Sequence, residues 1–312
     1  MRHPEAKPKD LYAHIDSSDA FNVLRTATMV FLISISWFLV SNPALAADKQ
    51  KPSPGAEWET HFTQGITYGQ QGDWDKAIEK FKKAESLKPG RQEICTDLSL
   101  AYAEKKDFPN ALSYARKAVK ADPSKASGFL ALGLAQEGSA NAPEAIKAYR
   151  EGAALEPNNT DIQLTLGNLY GRQGSFEESV KAYENVIRID PMNLFAHSNL
   201  GYIYEEKGQL DKAMPHFEKA VRIDSSDAVA WYDLGSATSK QGEPAKAIEY
   251  FEKSFRLDPK FYKACLSLAL AYEDTGQLEK ASEYYVKAMS LTNDQNVKDA
   301  ILRLVNRPSE KN

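Results

Sequence analysis

The amino-acid sequence repeats with a period of 34 residues, without insertion or deletion, from Trp58 to Gln295. Within each repeat, small and aromatic residues recur at fixed positions, numbered here from 1 to 34. A fixed period of this length is typical of proteins in which one supersecondary unit stacks on the next. The period therefore constrains the fold more strongly than the composition does.

Four positions of the repeat carry most of the pattern. Position 8 holds Gly65, Ser99, Gly133, Gly167, Gly201, Gly235 and Ala269, and position 20 holds Ala77, Ala111, Ala145, Ser179, Ala213, Ala247 and Ala281. Position 24 holds Phe81, Ala115, Tyr149, Tyr183, Phe217, Phe251 and Tyr285. Position 32 holds Pro89, Pro123, Pro157, Pro191, Ser225, Pro259 and Asn293.

The spacing of the apolar residues predicts two amphipathic helices in each repeat. Positions 4, 7, 8 and 11 form one stripe of a helix with about 3.6 residues per turn, and positions 17, 20, 21, 24, 27 and 28 form a second stripe. Small residues at positions 8 and 20 let the two helices approach closely, while the ring at position 24 fills the adjacent volume. Proline at position 32 is expected to end the second helix because it lacks an N–H donor.

These residues resemble the tetratricopeptide repeat (TPR), whose signature has small residues at positions 8, 20 and 27, aromatic residues at positions 11 and 24, and proline at position 32. The resemblance implies an all-α, right-handed α-solenoid of helix-turn-helix repeats, with a concave groove lined by the first helix of each pair. The predicted repeats are 58–91, 92–125, 126–159, 160–193, 194–227, 228–261 and 262–295.

A further helix is expected to cap the last repeat. Residues 296–312 contain the apolar stripe Val297, Ala300, Ile301, Leu304 and Val305, followed by Pro308 and a charged tail. Stacked repeats require such caps, since each repeat buries its apolar face only against its neighbours.

Repeats 2 and 3 depart most from the pattern. Repeat 2 has Ala115 at position 24 and Lys106 in the turn where glycine is usual. Repeat 3 has Gln136 at position 11 and Gly152 at position 27. We therefore expect these two repeats to be the least stable part of the array.

The segment before the repeats has the features of an export signal. An apolar run from Met29 to Val40 follows Arg25 and precedes Ala44-Leu45-Ala46, and its length fits a signal-peptide core of about 7 to 15 residues. Cleavage before Ala47 would leave residues 47–57 as a polar linker to the repeats. The alternative for residues 1–46 is an uncleaved membrane anchor, and both interpretations place the repeats outside the cytoplasm, most simply in a bacterial periplasm.

The sequence contains no recognisable catalytic or cofactor-binding pattern. His61 and His197 fall at position 4, a packing position, and His216 falls on the outer face of a second helix. Cys95 and Cys265 both occupy position 4, five repeats apart, and are expected to be buried, unpaired and unreactive. The net charge of −4 argues against nucleic-acid binding. We therefore predict no metal ion or cofactor.

A protein or peptide partner is the expected ligand, because positions 2, 5, 9, 12 and 13 line the groove in the resembling family. The candidate groove residues are Phe62, Ile66, Leu100, Leu134, Asn168, Arg172, Phe195, Tyr202, Glu205, Glu206, Tyr232, Leu270 and Glu273. Exposed aromatic residues concentrate binding energy, so Phe195, Tyr202 and Tyr232 are the leading candidates. The acidic excess among the groove positions favours an apolar or basic segment.

Two functions of different classes fit this sequence. The first is a non-enzymatic adaptor that holds a segment of a partner during assembly of an envelope complex. The second is a structural scaffold in which copies of the chain associate with one another. One specialised type in the resembling family clamps a terminal carboxylate with paired lysine or arginine and asparagine. Here only Asn168 with Arg172 resembles that clamp, and the surrounding acidic residues argue against it. The asparagine ladder at position 6, which marks another specialised type, is missing.

Overall fold

The computed structural model of the protein describes residues 57–293, 295, 298, 299, 301 and 302. The predicted signal or anchor at 1–46 and residues 47–56 of the predicted linker lie outside the described residues. Glu57, predicted as the last linker residue, is instead the first residue of a helix.

The described residues form fourteen α-helices and no β-strand. The first eight are α1 Glu57–Gln70, α2 Trp74–Leu87, α3 Gln92–Glu104, α4 Phe108–Ala121, α5 Ala126–Gly138, α6 Ala142–Leu155, α7 Thr160–Arg172 and α8 Phe176–Ile189. The remaining six are α9 Leu194–Glu206, α10 Leu210–Ile223, α11 Ala228–Lys240, α12 Pro244–Leu257, α13 Tyr262–Asp274 and α14 Leu278–Leu291. The predicted all-α fold of tandem helix-turn-helix pairs is therefore confirmed.

The helices belong to two compact units, residues 57–189 and residues 190–302 of the described chain. Inside each unit, the two helices of a pair pack on each other, and the second helix of one pair packs on the first helix of the next. No helix in the described part of the chain is both long enough and apolar enough to cross a membrane.

The aromatic ring at position 24 packs directly on the small residue at position 8. In the α9–α10 pair, a Cβ atom added to Gly201 would lie 2.6 Å from Cε1 of Phe217, closer than real atoms approach. Phe217 and Ala213 are fully buried beside this contact. The predicted roles of positions 8, 20 and 24 therefore match the packing.

The last helix pair is covered by part of the predicted cap. Ile301 is fully buried in the core formed with α12, α13 and α14. The other cap residues predicted to be apolar, namely Val297, Ala300, Leu304 and Val305, lie outside the described residues. Burial of both cysteines is confirmed, and desolvation raises the pKa of the Cys265 thiol to about 12.

The turn between the two helices of a pair requires a left-handed backbone residue. Gly72, Gly174, Gly208, Gly242 and Gly276 take this position, all with positive φ. Repeats 2 and 3 use Lys106 at φ 59° and Ala140 at φ 57° instead. A left-handed conformation costs a residue with a side chain about 1 to 2 kcal/mol. The turns of these two repeats therefore store strain that the other turns avoid.

We predict that Lys106→Gly and Ala140→Gly each raise the free energy of unfolding by about 0.5 to 1 kcal/mol, because glycine adopts positive φ without steric cost. Hydrogen exchange should show slower exchange in α3–α6 for both variants. Gly208→Ala, which introduces the same strain at φ 69°, is the control and should lower stability. Unchanged exchange in both glycine variants would contradict the strain argument.

Candidate functional site

The candidate site is the first-helix surface, defined as positions 2, 5, 9, 12 and 13 on the first helix of each pair. Within residues 57–189, α3 packs beside both α1 and α5, and within residues 190–302, α11 packs beside both α9 and α13. The same positions of neighbouring pairs therefore lie near one another along each unit.

Three of the predicted groove residues lie in the core instead of on an exposed surface. Leu100, Tyr232 and Leu270 are all buried. Tyr232 is only 7% exposed, and its ring centroid lies 5.9 Å from Phe251 and 5.1 Å from Phe261. The expectation that Tyr232 belongs to an exposed aromatic patch is therefore wrong, because Phe251 on α12 and Phe261, which directly precedes α13, cover its ring.

Three further apolar candidates are half-buried and pack against core clusters. Phe62 lies 5.7 Å from Phe81 between ring centroids, and Ile66 packs against the same cluster. Leu134 packs against the cores of α5–α8 and α3–α5. Tyr202 is half-buried and Phe195 is 42% exposed. Among the apolar candidates, Phe195 and Tyr202 on α9 therefore offer the most accessible aromatic surface.

Several polar residues on this surface are held by contacts inside the array. The Tyr149 hydroxyl donates a hydrogen bond of 3.2 Å to the Glu137 carboxylate, and Arg172 on α7 forms an ion pair with the same carboxylate. The Tyr183 hydroxyl donates to Oδ1 of Asn168. Asn168 and Arg172 are therefore engaged with their neighbours and do not converge on a common ligand position.

The same arrangement occurs among the helices of residues 190–302. The Tyr285 hydroxyl donates to the Glu273 carboxylate. The Glu205 side chain is only 6% exposed, and its Oε1 atom lies 3.2 Å from Nζ of Lys240 and 3.3 Å from Oγ of Ser236. Glu206, one residue later, is exposed. Glu205 thus stabilises the packing of α9 beside α11, while Glu206 faces solvent.

A second group of carboxylates on α3 and α7 is poorly hydrated. Burial, with a smaller contribution from Glu93 one turn earlier, raises the pKa of Asp97 to about 7. Burial likewise raises the pKa of Glu104 and of Asp161. Among the described residues, no cation lowers the pKa of Asp97. The unit of residues 57–189 therefore carries partly dehydrated carboxylates on two of its first helices.

The sequence contained signals for some of these contacts. Tyrosine at position 24 together with glutamate at position 12 occurs in repeats 3 and 7, where the hydroxyl donates to the carboxylate. Asp97 was not among the predicted site residues, because it falls at position 6, outside the positions taken to line the groove. Its dehydration depends on packing between neighbouring helices, which a pattern of residue types does not give.

Comparison with known proteins agrees with this architecture. Four family models match the chain, one described as "TPR repeat" at residues 167–208 and three described as "Tetratricopeptide repeat" at residues 62–126 and 96–161, 192–260 and 239–304. No curated protein sequence is significantly similar to the chain.

Three solved structures illustrate the similarity. The C-terminal part of a TPR repeat-containing protein from Cytophaga hutchinsonii is 18% identical, covers 76% of this chain and 98% of its own, and has a TM-score of 0.63. YrrB, described as a TPR protein with an unusual peptide-binding site, is 20% identical, with coverages of 61% and 97% and a TM-score of 0.51. A MamA protein is 27% identical, with coverages of 59% and 98% and a TM-score of 0.50. The first two likenesses support the fold alone.

We predict that Asp97→Asn stabilises the protein at pH 8 by about 1 to 3 kcal/mol, since each unit of pKa shift corresponds to about 1.4 kcal/mol. The folded-state pKa of Asp97 lies above its ordinary value, so its contribution to stability is present at low pH and is lost as the pH rises through about 7. Urea unfolding at pH 5 and pH 8 measures this difference. Asp211→Asn, at an exposed position of α10, is the control. Equal stabilities of wild type and Asp97→Asn at pH 8 would contradict the assignment.

Proposed function

Because residues 62–161 and 167–304 of this chain consist of tetratricopeptide repeats, we propose that the protein is a non-catalytic adaptor. Its proposed ligand is an extended segment of another protein that carries basic and apolar side chains. The proposed binding site is the first-helix surface. Proteins with this repeat generally act as adaptors that bind protein or peptide partners.

The observation that carries this proposal is the dehydration of carboxylates on α3 and α7, where Glu104 and Asp161 occupy positions 13 and 2 of the first-helix surface and Asp97 occupies position 6 of α3. Asp97, Glu104 and Asp161 all have pKa values raised by burial. A carboxylate that has already lost much of its hydration loses less when a cationic side chain covers it. By contrast, Glu137 and Glu205 are already paired with Arg172 and Lys240. The unpaired carboxylates thus favour a partner that supplies lysine or arginine.

Aromatic side chains supply the apolar part of the proposed contact. Phe195 is exposed on α9, and Tyr202 lies two turns further along the same helix, half-buried. Exposed aromatic residues often dominate binding energy because they bury large apolar areas with little loss of conformational freedom. We therefore assign Phe195 and Tyr202 to apolar anchoring and the carboxylates to charge recognition.

The proposed location rests on the N-terminal sequence alone. We propose that all seven predicted repeats are exported and that the adaptor serves the assembly of an envelope complex. If residues 1–46 are cleaved, the protein is soluble in the periplasm. If they are retained, it is anchored in the inner membrane. We predict cleavage before Ala47, which the intact mass of the protein purified from its native host measures directly. A mass that includes residues 1–46 would instead establish the anchored form.

Self-association is the second candidate function, and the last helix favours it. Leu278 and Val286 on α14 are 58% and 56% exposed, which is unusual for large apolar side chains in a helix of this array. The two residues are eight positions apart and therefore lie on the same face of α14. A second copy of the chain could cover this face.

One cross-linking experiment separates the two candidate functions. A photoreactive amino acid is placed at Phe195 on the first-helix surface, at Val286 on α14 and, as a control, at Lys181 on the exposed face of α8. In native host cells we predict an adduct with a different protein from Phe195 and none from Lys181. Adducts between copies of this chain, formed from Val286 alone, would instead establish the scaffold.

The charge of the partner is tested in the same cells. Asp97→Asn should lower the yield of an adduct formed from a photoreactive amino acid at Ile66 on α1, which lies in the same unit as Asp97, because a hydrogen bond between charged groups contributes about 1.5 to 3 kcal/mol. The wild-type yield should also fall from pH 8 to pH 6, as Asp97 becomes protonated. Asp211→Asn should have no effect. A yield that is insensitive to Asp97→Asn would show that the partner is not recognised by this carboxylate.

A further inference from the structure

Two histidines that are 19 residues apart in the sequence meet inside the α9–α10 pair. The Nδ1 atoms of His197 and His216 are 3.1 Å apart, and their ring centroids are separated by 5.4 Å with a tilt of 40°. The second ring nitrogen of His197, Nε2, lies 3.2 Å from the carbonyl oxygen of Pro191, in the loop that precedes α9. This contact therefore connects the loop, the first helix and the second helix of one repeat.

The available protons allow one arrangement of these hydrogen bonds. A carbonyl oxygen can only accept, so Nε2 of His197 carries the proton and donates to Pro191. Nδ1 of neutral His197 is then an acceptor, and Nδ1 of His216 must be the donor. Protonation of both rings would place two N–H groups face to face at 3.1 Å. The contact therefore requires that at least one of the two rings is neutral.

The surroundings oppose protonation of either ring. His197 is 7% exposed, and the half-buried His216 ring stacks on Tyr204 at a centroid distance of 5.8 Å. Burial lowers the pKa of both histidines, and each feels further charges within residues 190–302. The charge of Lys219 lowers the pKa of His197, while that of Asp190 raises it. His197 in turn lowers the pKa of His216. Lys212 lies over the ring of Tyr204.

A metal-binding role is less well supported than a proton-dependent one. Within the described part of the chain, no cluster of three or more His, Cys, Asp and Glu side chains could hold a metal ion. Two imidazoles in direct hydrogen-bond contact already satisfy each other without an ion between them. The His197–His216 pair is therefore a contact that responds to protons.

We propose that the His197–His216 contact is an acid-sensitive latch, which fixes the loop at residues 190–193 and the α9–α10 pair at neutral pH and releases them in mild acid. The direction follows from proton linkage. Because the pKa values of both rings are lowered in the folded state, the latch stabilises the fold above the ordinary histidine pKa of 6.5 and is lost as the pH falls through the folded-state values. Since α9 also carries Phe195 and Tyr202, release would alter the proposed aromatic anchor.

The repeat itself supplies a substitution that removes the latch and keeps the packing. His216 occupies position 23 of its repeat, and other repeats have Tyr114, Tyr250 and Tyr284 at this position. Tyr114 and Tyr284 each contact the tyrosine at position 11 of their own repeat, just as His216 contacts Tyr204. His216→Tyr should therefore keep the ring packing without a titrating group. His197→Gln keeps an N–H donor for Pro191. His61→Gln is the control, because His61 occupies position 4 of repeat 1, as His197 does in repeat 5.

The test is hydrogen exchange of the chain from Ala47 onwards, measured by mass spectrometry at pH 7.5 and pH 5.5 and corrected for the intrinsic pH dependence of exchange. We expect wild type and His61→Gln to lose protection in α9–α10 at pH 5.5, by up to about tenfold for each histidine, because the ordinary histidine pKa of 6.5 lies one unit above this pH. His216→Tyr and His197→Gln should lose little. Equal protection of wild type at both pH values, or an acid-induced loss that persists in both variants, would overturn the proposal. Because exchange is measured without a partner, this result does not depend on the proposed adaptor function.

Discussion

The close approach of two helices at positions 8 and 20 is the contact on which each repeat depends. Where position 8 is glycine, as at Gly201, the ring of position 24 occupies the space that a Cβ atom would take. A fully buried phenylalanine such as Phe217 contributes about 1.5 to 3 kcal/mol by leaving water. Repeat 2 has Ser99 at position 8 and Ala115 at position 24, and both residues remain buried. The contact thus stays closed to water even where a methyl group replaces the ring.

A serine hydroxyl reinforces this contact from either helix. In repeat 2, Oγ of Ser99 on the first helix donates to the carbonyl oxygen of Ala111 at 2.9 Å. In repeat 4, Oγ of Ser179 on the second helix donates to the carbonyl oxygen of Gly167 at 2.6 Å. Both bonds join positions 8 and 20, in opposite directions. A small polar residue is therefore tolerated in the core because a backbone acceptor from the partner helix lies within reach.

The helices could be predicted from the sequence because each depends on a local period, but helix ends depend on more than the predicted proline. Repeat 5 has Ser225 at position 32, yet α10 ends at Ile223, the same position as in the repeats with proline. There, the Asp224 side chain accepts hydrogen bonds from both the backbone N–H and the hydroxyl of Ser226. Asp122 makes the same two bonds with Ser124 in repeat 2. The aspartate turn and the proline thus cooperate in ending the second helix.

The candidate site could be predicted only in part, because the repeat pattern gives the direction of a side chain but not the residue that covers it. Tyr232 and Leu270 occupy positions expected to face the groove, but both are buried. Tyr232 is enclosed because Phe261, the last residue of the same repeat, directly before α13, packs against its ring. His197 was assigned to a packing position and His216 to the outer face of a second helix, and only the arrangement of α9 and α10 reveals their contact. These features depend on partners that are distant in the sequence.

The charges of the first-helix surface follow a rule that connects packing with recognition. Glu137 pairs with Arg172, and Glu205 pairs with Lys240, so each pair joins position 12 of one repeat to position 13 of the next. Repeat 2 has Glu104 at position 13, but position 12 of the preceding repeat is Gly69, which cannot supply a counter-charge. Burial then raises the pKa of Glu104. The array therefore satisfies its own carboxylates at two junctions and leaves dehydrated ones at repeat 2, where an external cation would gain most.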